Sequence, residues 1–96
     1  MIGSFADPRL EEFYYVGRGP KSRSIPPAIF GALQRKLDQL NSATSLNDLR
    51  APPSNHLGAL KGDLKGKHGI RINVQWRIVF EWRDGEPHEV VLVDYH

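Results

Sequence analysis

The chain has 96 residues, 25% of them charged and 40% apolar, with a formal net charge of +2. That composition suits one soluble globular domain covering residues 1–96, with a single modest core, and is too apolar for a disordered segment. Cysteine is absent, which excludes a disulfide framework, a thiolate nucleophile and a cysteine-based zinc site and fits a reducing cytoplasm. No apolar run approaches the roughly eighteen residues of a membrane span, and Met1–Asp7 lacks the basic and hydrophobic regions of a signal peptide.

In chain order, Ile2 to Phe5 reads as an edge strand or a simple lead-in. Asp7-Pro8 reads as an N-cap followed by proline at the first helical position. Leu10, Phe13 and Tyr14 follow at helical spacing, and Gly17 stops the helix. Arg18 to Arg23 is a loop carrying three positive charges. A longer helix is predicted to start at Ser24 to Pro27, with Ile29, Phe30, Leu33, Leu37 and Leu40 as its apolar stripe and Asn41 as its terminator. Ser45 to Leu49 adds one more helical turn before Pro52-Pro53-Ser54-Asn55 breaks it, and Leu57 to Leu60 supplies a short strand.

The period then changes from helix to strand. Ile70, Ile72, Val74, Trp76, Ile78, Phe80 and Trp82 share one parity, which is the expected core face. Arg71, Asn73, Gln75, Arg77, Glu81 and Arg83 share the other, with Val79 the apolar exception. Thirteen residues from Ile70 to Trp82 exceed an ordinary strand, so a turn or bulge is expected near Asn73 to Gln75. Asp84-Gly85 is a hairpin signal leading to a last strand through Val90-Val91-Leu92-Val93. The fold class is α+β: N-terminal helices packed on a small, mainly antiparallel sheet.

From Arg50 to Arg83 the chain carries Arg50, Lys61, Lys65, Lys67, Arg71, Arg77 and Arg83 against only Asp63 and Glu81. His56 and His68 lie in the same stretch. This half is a candidate anion-binding face, with Arg71, Lys65, Lys67, His56 and His68 as phosphate- or RNA-binding candidates. The alternative for Arg71 and Arg77 is cross-strand pairing with Glu81. The four histidines are too scattered for a metal motif, so neither a metal nor a cofactor is expected. Gly66-Lys67-His68-Gly69 matches a GxxG loop only formally, because it leads into a strand rather than joining two helices. The terminal Asp94-Tyr95-His96 places a carboxylate, a phenol and an imidazole behind a buried apolar run. Alternation puts Asp94 and His96 on one face and Tyr95 on the other.

Several segments together resemble the HigB-type toxins of the RelE/ParE superfamily, from bacterial type II toxin–antitoxin modules. They are Asp94-Tyr95-His96, Trp76-Arg77-Ile78-Val79-Phe80, Leu60-Lys61-Gly62-Asp63, Ile70-Arg71-Ile72-Asn73, the opening Met1-Ile2-Gly3-Ser4-Phe5 and Ala43-Thr44-Ser45-Leu46-Asn47-Asp48-Leu49. The resemblance implies a microbial ribonuclease-like fold and a ribosome-dependent endoribonuclease that cuts mRNA in the ribosomal A site. It also implies neutralisation by a HigA-like helix-turn-helix antitoxin, the complex binding operator DNA. Carried over by position, the catalytic candidates are Lys61, Arg77, Asp94, Tyr95 and His96. One position departs from the pattern. Well-known members carry a histidine three residues before the lysine, where this chain has Gly58. His56, on the same strand parity, and His68 are the candidates to stand in. Two alternatives remain open at this level: a non-catalytic RNA- or protein-binding module of the same fold, and an unrelated α+β domain whose terminal triplet is surface decoration.

Overall fold

A computed structural model describes residues 1–95. Among them the chain forms helix α1 (Pro8–Tyr15), helix α2 (Phe30–Ser42), and strands β1 (Gly58–Ala59), β2 (His68–Arg71), β3 (Trp76–Arg83) and β4 (Glu86–Asp94). The four strands lie in chain order in one sheet and pair antiparallel throughout. The α+β expectation is met, helices first and sheet second.

Helix α1 begins where the sequence places it. The Asp7 carboxylate accepts from the Arg9 and Leu10 amides, and Pro8 opens the first turn. Capping is half of what Asp7 does. The same carboxylate accepts from the Leu92 amide at 3.2 Å and from the Arg9 guanidinium at 2.9 Å, while Arg9 also donates to the Leu92 carbonyl at 3.1 Å. The start of α1 is thereby fastened to β4. Burial by itself raises the Asp7 carboxyl, but the Arg9 hydrogen bond and charge, with the Leu92 and Leu10 amides, outweigh it and hold the group below its ordinary 3.8. A depressed carboxyl lends stability above the unfolded value and loses it as pH falls through the folded one. Asp7→Asn should therefore cost about 1–2 kcal/mol near neutrality, from lost charge-assisted bonds. The gap to wild type should close below about pH 4. Urea unfolding midpoints at pH 6 and pH 3 check this; an equal gap at both would be the wrong sign of linkage.

Helix α2 starts later than the sequence suggests. Pro27–Ile29 forms a single 3₁₀ turn, and the α-helix proper runs from Phe30 to Ser42, one residue past the predicted Asn41 stop. Rather than ending the helix, Asn41 ties down the N-terminus: its side-chain carbonyl accepts from the Ile2 amide at 3.0 Å. Leu33, Leu37 and Leu40 are fully buried, as the stripe requires, and pack with Leu10 and Phe13 of α1 against Ile70, Ile78, Phe80, Val90 and Leu92. Both helices thus cover one face of the sheet. The predicted turn after Ser45 is a 3₁₀ helix, Leu46–Arg50, closed by a reciprocal Ser45–Asp48 capping box.

Two irregularities set the sheet's register. The long apolar run of residues 70–82 breaks into a hairpin at Ile72–Gln75, where the Asn73 side chain accepts from the Gln75 and Trp76 amides, each at 2.8 Å. An asparagine carbonyl replacing a backbone acceptor is what makes that turn. Val74, which parity places in the core, therefore sits at the hairpin tip, 81% exposed. The second irregularity is in β4. Val79 pairs with Val91 but Glu81 with His88, so β4 carries one extra residue, and Glu89 takes a left-handed φ of 52°. This bulge resets alternation so that Val90 and Leu92 face the core. At the hairpin between β3 and β4, Asp84 and Gly85 both have positive φ, 56° and 77°, the primed turn that a twisted hairpin favours.

The N-terminal segment lies along the outer edge of β4. Gly3 donates to the Pro87 carbonyl at 2.8 Å and Ala6 to the Val90 carbonyl at 3.1 Å, and Val90 donates back to Ser4 at 3.1 Å. A Cβ at Gly3 would lie 2.3 Å from the His88 ring, so glycine is required for this close approach. The segment covers an edge that would otherwise be open to pairing.

Candidate nucleic-acid interface

The face of the sheet turned away from the helices gathers part of the expected site. Arg71 on β2 pairs directly with Arg77 on β3, and Val93 on β4 completes the row. The Arg77 guanidinium lies over the Tyr95 ring at 4.6 Å, and Arg71 donates to the Asn73 carbonyl at 3.0 Å. The proposed pairing with Glu81 does not form: Glu81 faces Arg83, at 3.9 Å. Among the described residues neither Arg71 nor Arg77 forms an ion pair with a carboxylate. Like charges placed opposite one another on neighbouring strands are destabilising, so this pair is a standing charge concentration that a polyanion would relieve.

The end of β4 is held by the hairpin turn rather than left to fray. Tyr95 donates its amide to the Gln75 carbonyl, and the Gln75 side chain donates to the Asp94 carboxylate at 3.2 Å. Gln75 thus positions both residues, a role its place in the polar parity did not reveal. Register puts Asp94 opposite Trp76, on the parity of the core face, and Arg77 opposite Val93. Asp94 and Tyr95 therefore point to opposite sides, as alternation requires. His96 lies outside the described residues.

The lysines lie elsewhere. Lys61 is exposed at the end of β1, and the tight turn after it, Gly62–Leu64, leads through exposed Lys65 to half-buried Lys67. This cluster sits at the start of β2, whereas Arg71 sits at its end. At ~3.3 Å per residue the two cationic groups are separated by about 10 Å along β2. They form two poles rather than a single knot.

The histidines divide as well. His56 precedes β1 in a left-handed turn, φ 46°, and is exposed, so the strand parity assumed for it does not apply. His68 pairs with Phe80 on the core-side parity, opposite to Arg71, with its ring stacked on Phe80 at 6.4 Å. At Gly58 a Cβ would meet nothing closer than the His56 carbonyl at 3.8 Å, so the position is open.

Between the poles the face is apolar, which the charge pattern concealed. Val79, the exception in the polar parity, is 1% exposed on this side, outside the main core. Gly69 opposite it leaves room, with the Leu60 and Val79 side chains each 3.8 Å from where a Gly69 Cβ would be. Val91 continues the row and is half-buried. Cations and an exposed aromatic ring on one face are the kinds of group that single-stranded nucleic acid requires. Among the described residues no group of three or more His, Cys, Asp or Glu side chains could hold a metal ion, and no helix is long and apolar enough to cross a membrane.

Comparisons with known proteins bear on the family and the fold. Residues 3–96 match the family model described as the RelE-like toxin of the type II toxin–antitoxin system HigB. Toxin HigB-1 of Vibrio cholerae is 46% identical over 96 residues, covering 93% of this chain and 99% of that protein. Endoribonuclease HigB of Proteus vulgaris is 27% identical, with both chains covered over 100% of their lengths. Among solved structures, a chain of the YoeB–YefM complex from Staphylococcus aureus superposes with a TM-score of 0.59 at 20% identity, covering 100% of this chain and 98% of that one, a likeness of fold. The chain therefore belongs to the HigB family of RelE-like toxins of type II toxin–antitoxin systems.

Proposed function

We propose that this toxin is a ribosome-dependent endoribonuclease that cuts mRNA in the A site, by metal-free attack of a 2′-hydroxyl on the adjacent phosphodiester. The observation that carries the reading is the Arg71–Arg77 pair, without a carboxylate partner among the described residues and capped by the Tyr95 ring. Such cleavage needs a base for the 2′-hydroxyl, cations for the charged phosphorane and an acid for the departing 5′-oxygen. Arg77 takes the scissile phosphate, and Lys61 adds charge from the other pole. His96 is the main proton-transfer group, which Asp94 orients, and Tyr95 stacks on or positions the nucleotide. The cut leaves a 2′,3′-cyclic phosphate on one fragment and a 5′-hydroxyl on the other. Arg71, Lys65, Lys67 and exposed His56 guide the flanking backbone, whereas His68, turned to the core-side parity, does not.

Support for the class of reaction comes from the name of the Proteus vulgaris relative, an endoribonuclease, and support for an antitoxin partner from the Staphylococcus aureus complex. By family, the partner is a HigA-like helix-turn-helix protein whose complex with the toxin binds operator DNA. Proton-transfer groups contribute on the order of 10² to 10⁴ in rate, so His96→Ala should lose at least a hundredfold of ribosome-bound mRNA cleavage while unfolding at the same temperature as wild type. Undiminished cleavage at equal protein would remove His96 from the mechanism. The same purified protein should leave naked mRNA uncut; equal cutting of naked mRNA would refute ribosome dependence.

A further inference from the structure

The loop between α1 and α2 carries three cations that the cutting reaction does not use, Arg18, Lys21 and Arg23. Lys21 lines a shallow recess with Glu11 and Glu12 of α1. Arg18 and Arg23 instead flank a separate cavity of about 280 Å³, whose apolar lining is Ile25, Pro27 and Phe30. That volume is below the usual range for a small-molecule pocket and suits one apolar side chain of a docked segment. The loop around it is held in place. Ser22 is 1% exposed, and its hydroxyl donates to the Gly17 carbonyl and accepts from the Gly19 amide, both at 2.9 Å. Its amide donates to the Glu12 carboxylate at 2.6 Å. A Cβ at Gly19 would lie 2.6 Å from that same carboxyl group, so glycine lets the loop close onto α1.

The two arginines are therefore presented by a fixed loop, and the Arg18 guanidinium lies over the Phe30 ring at 5.0 Å. Both are exposed, and among the described residues neither forms an ion pair. Phe30 packs on Phe13 of α1, ring centroids 5.1 Å apart, which places the cavity in the helical layer. The Arg71–Arg77 row lies on the opposite face of the sheet, so the occupant of this cavity is not the nucleotide being cut. Two unpaired guanidinium groups beside an apolar recess match a peptide segment with carboxylates flanking an apolar anchor. Single-stranded RNA matches less well, because its bases need an open aromatic face and the Phe30 ring lies under Arg18.

We infer that this cavity is a docking site for an acidic segment of the antitoxin. One apolar side chain of the segment sits against Ile25, Pro27 and Phe30, and its carboxylates pair with Arg18 and Arg23. The inference rests on the antitoxin partnership read above and adds the surface and the charge of the segment that binds it.

The test is titration of purified wild type, Arg18→Glu, Arg23→Glu and Pro27→Lys with the antitoxin encoded beside the toxin gene. Ribosome-bound mRNA cleavage by each toxin alone is measured in parallel. All three positions are exposed, so these changes leave the core intact. Each charge reversal should weaken antitoxin binding by about tenfold or more, because it sets like charges against each other. Wild-type binding should itself weaken as salt rises. Pro27→Lys adds a cation yet fills the recess, so it should also weaken binding, which a simple charge patch would not allow. Cleavage by each variant without antitoxin should match wild type. Wild-type affinity in both charge reversals, or in Pro27→Lys, would overturn the docking site while leaving the antitoxin partnership standing. Charge reversals that lose cleavage but keep the antitoxin would make the loop a ribosomal RNA contact and overturn it as well. If wild type does not bind the antitoxin, the partnership falls and the docking site falls with it.

Discussion

Arg77→Ala should abolish toxicity while leaving the protein as stable as wild type, or slightly more so. Removing one preorganised charge-stabilising donor from a reaction centre costs about 10² to 10³ in rate. In a toxin, a loss of that size separates growth arrest from normal growth. The stability side follows from the surroundings of the side chain. The Arg77 guanidinium makes no side-chain hydrogen bond among the described residues and lies over the Tyr95 ring, while Arg71 stands directly opposite. Stacking of the guanidinium on Tyr95 is worth roughly 0.5–1 kcal/mol at an exposed site, and relief of the like-charge pair is worth a similar amount. Arg77→Lys separates charge from shape: the ammonium keeps the charge but neither stacks flat on Tyr95 nor binds a phosphate through two parallel bonds. It should fall between wild type and alanine. Rates of ribosome-bound mRNA cleavage, set beside thermal unfolding curves, decide the point. If Arg77→Ala lost activity and stability together, the arginine would be a structural residue.

The second large effect concerns a residue far from any chemistry. Asn55→Ala should destabilise the protein by about 3 kcal/mol, through unsatisfied buried groups and a lost bond to a charge. For a domain of this size that lowers the melting temperature by roughly 10–20 °C. Asn55 is fully buried, and its side-chain amide donates to the Leu49 and Ala51 carbonyls, at 3.1 and 3.3 Å, and to the Gln39 side chain at 3.1 Å. Its carbonyl oxygen accepts from the Lys36 ammonium. Lys36 is 8% exposed, and its pKa is lowered by burial and then by the charge on Arg35. Without Asn55 that ammonium keeps, among the described residues, only the Ser54 hydroxyl, at 3.5 Å. Removing both polar partners should cost less than removing one, so Lys36→Met with Asn55→Leu should recover part of the loss. Calorimetric melting of the three variants is the measurement. A double variant as unstable as the sum of the singles would mean that the two side chains do not act on each other. Because this hub sets the chain just before β1, Asn55→Ala should also disturb the face that carries Gly58 and Lys61.

The helices were legible because each was written twice, in spacing and in caps. Leu33, Leu37 and Leu40 repeat at helical period, and Asp7-Pro8 marks a start that the structure keeps. The sheet was legible as a parity and less so as a shape. Val74 looked like a core residue because alternation continues through it; the Asn73 side chain, which turns the chain there, carries no periodic signal. The bulge at Glu89 was invisible, since a left-handed glutamate is held by its neighbours and not by its own preference. In the site, Arg77 and Tyr95 could be named from the sequence and meet in space. Lys61 could be named but not located, because its distance from Arg77 depends on the β1–β2 register. The dry strip at Val79 had one signal, a lone valine among charges, and the Lys36–Asn55 hub had none, since both residue types are ordinarily exposed.

Induced expression followed by mapping of mRNA 5′ ends decides whether this basic face cuts translated mRNA: growth arrest with new ends inside translated codons is expected, and arrest without new ends would rule the ribonuclease out.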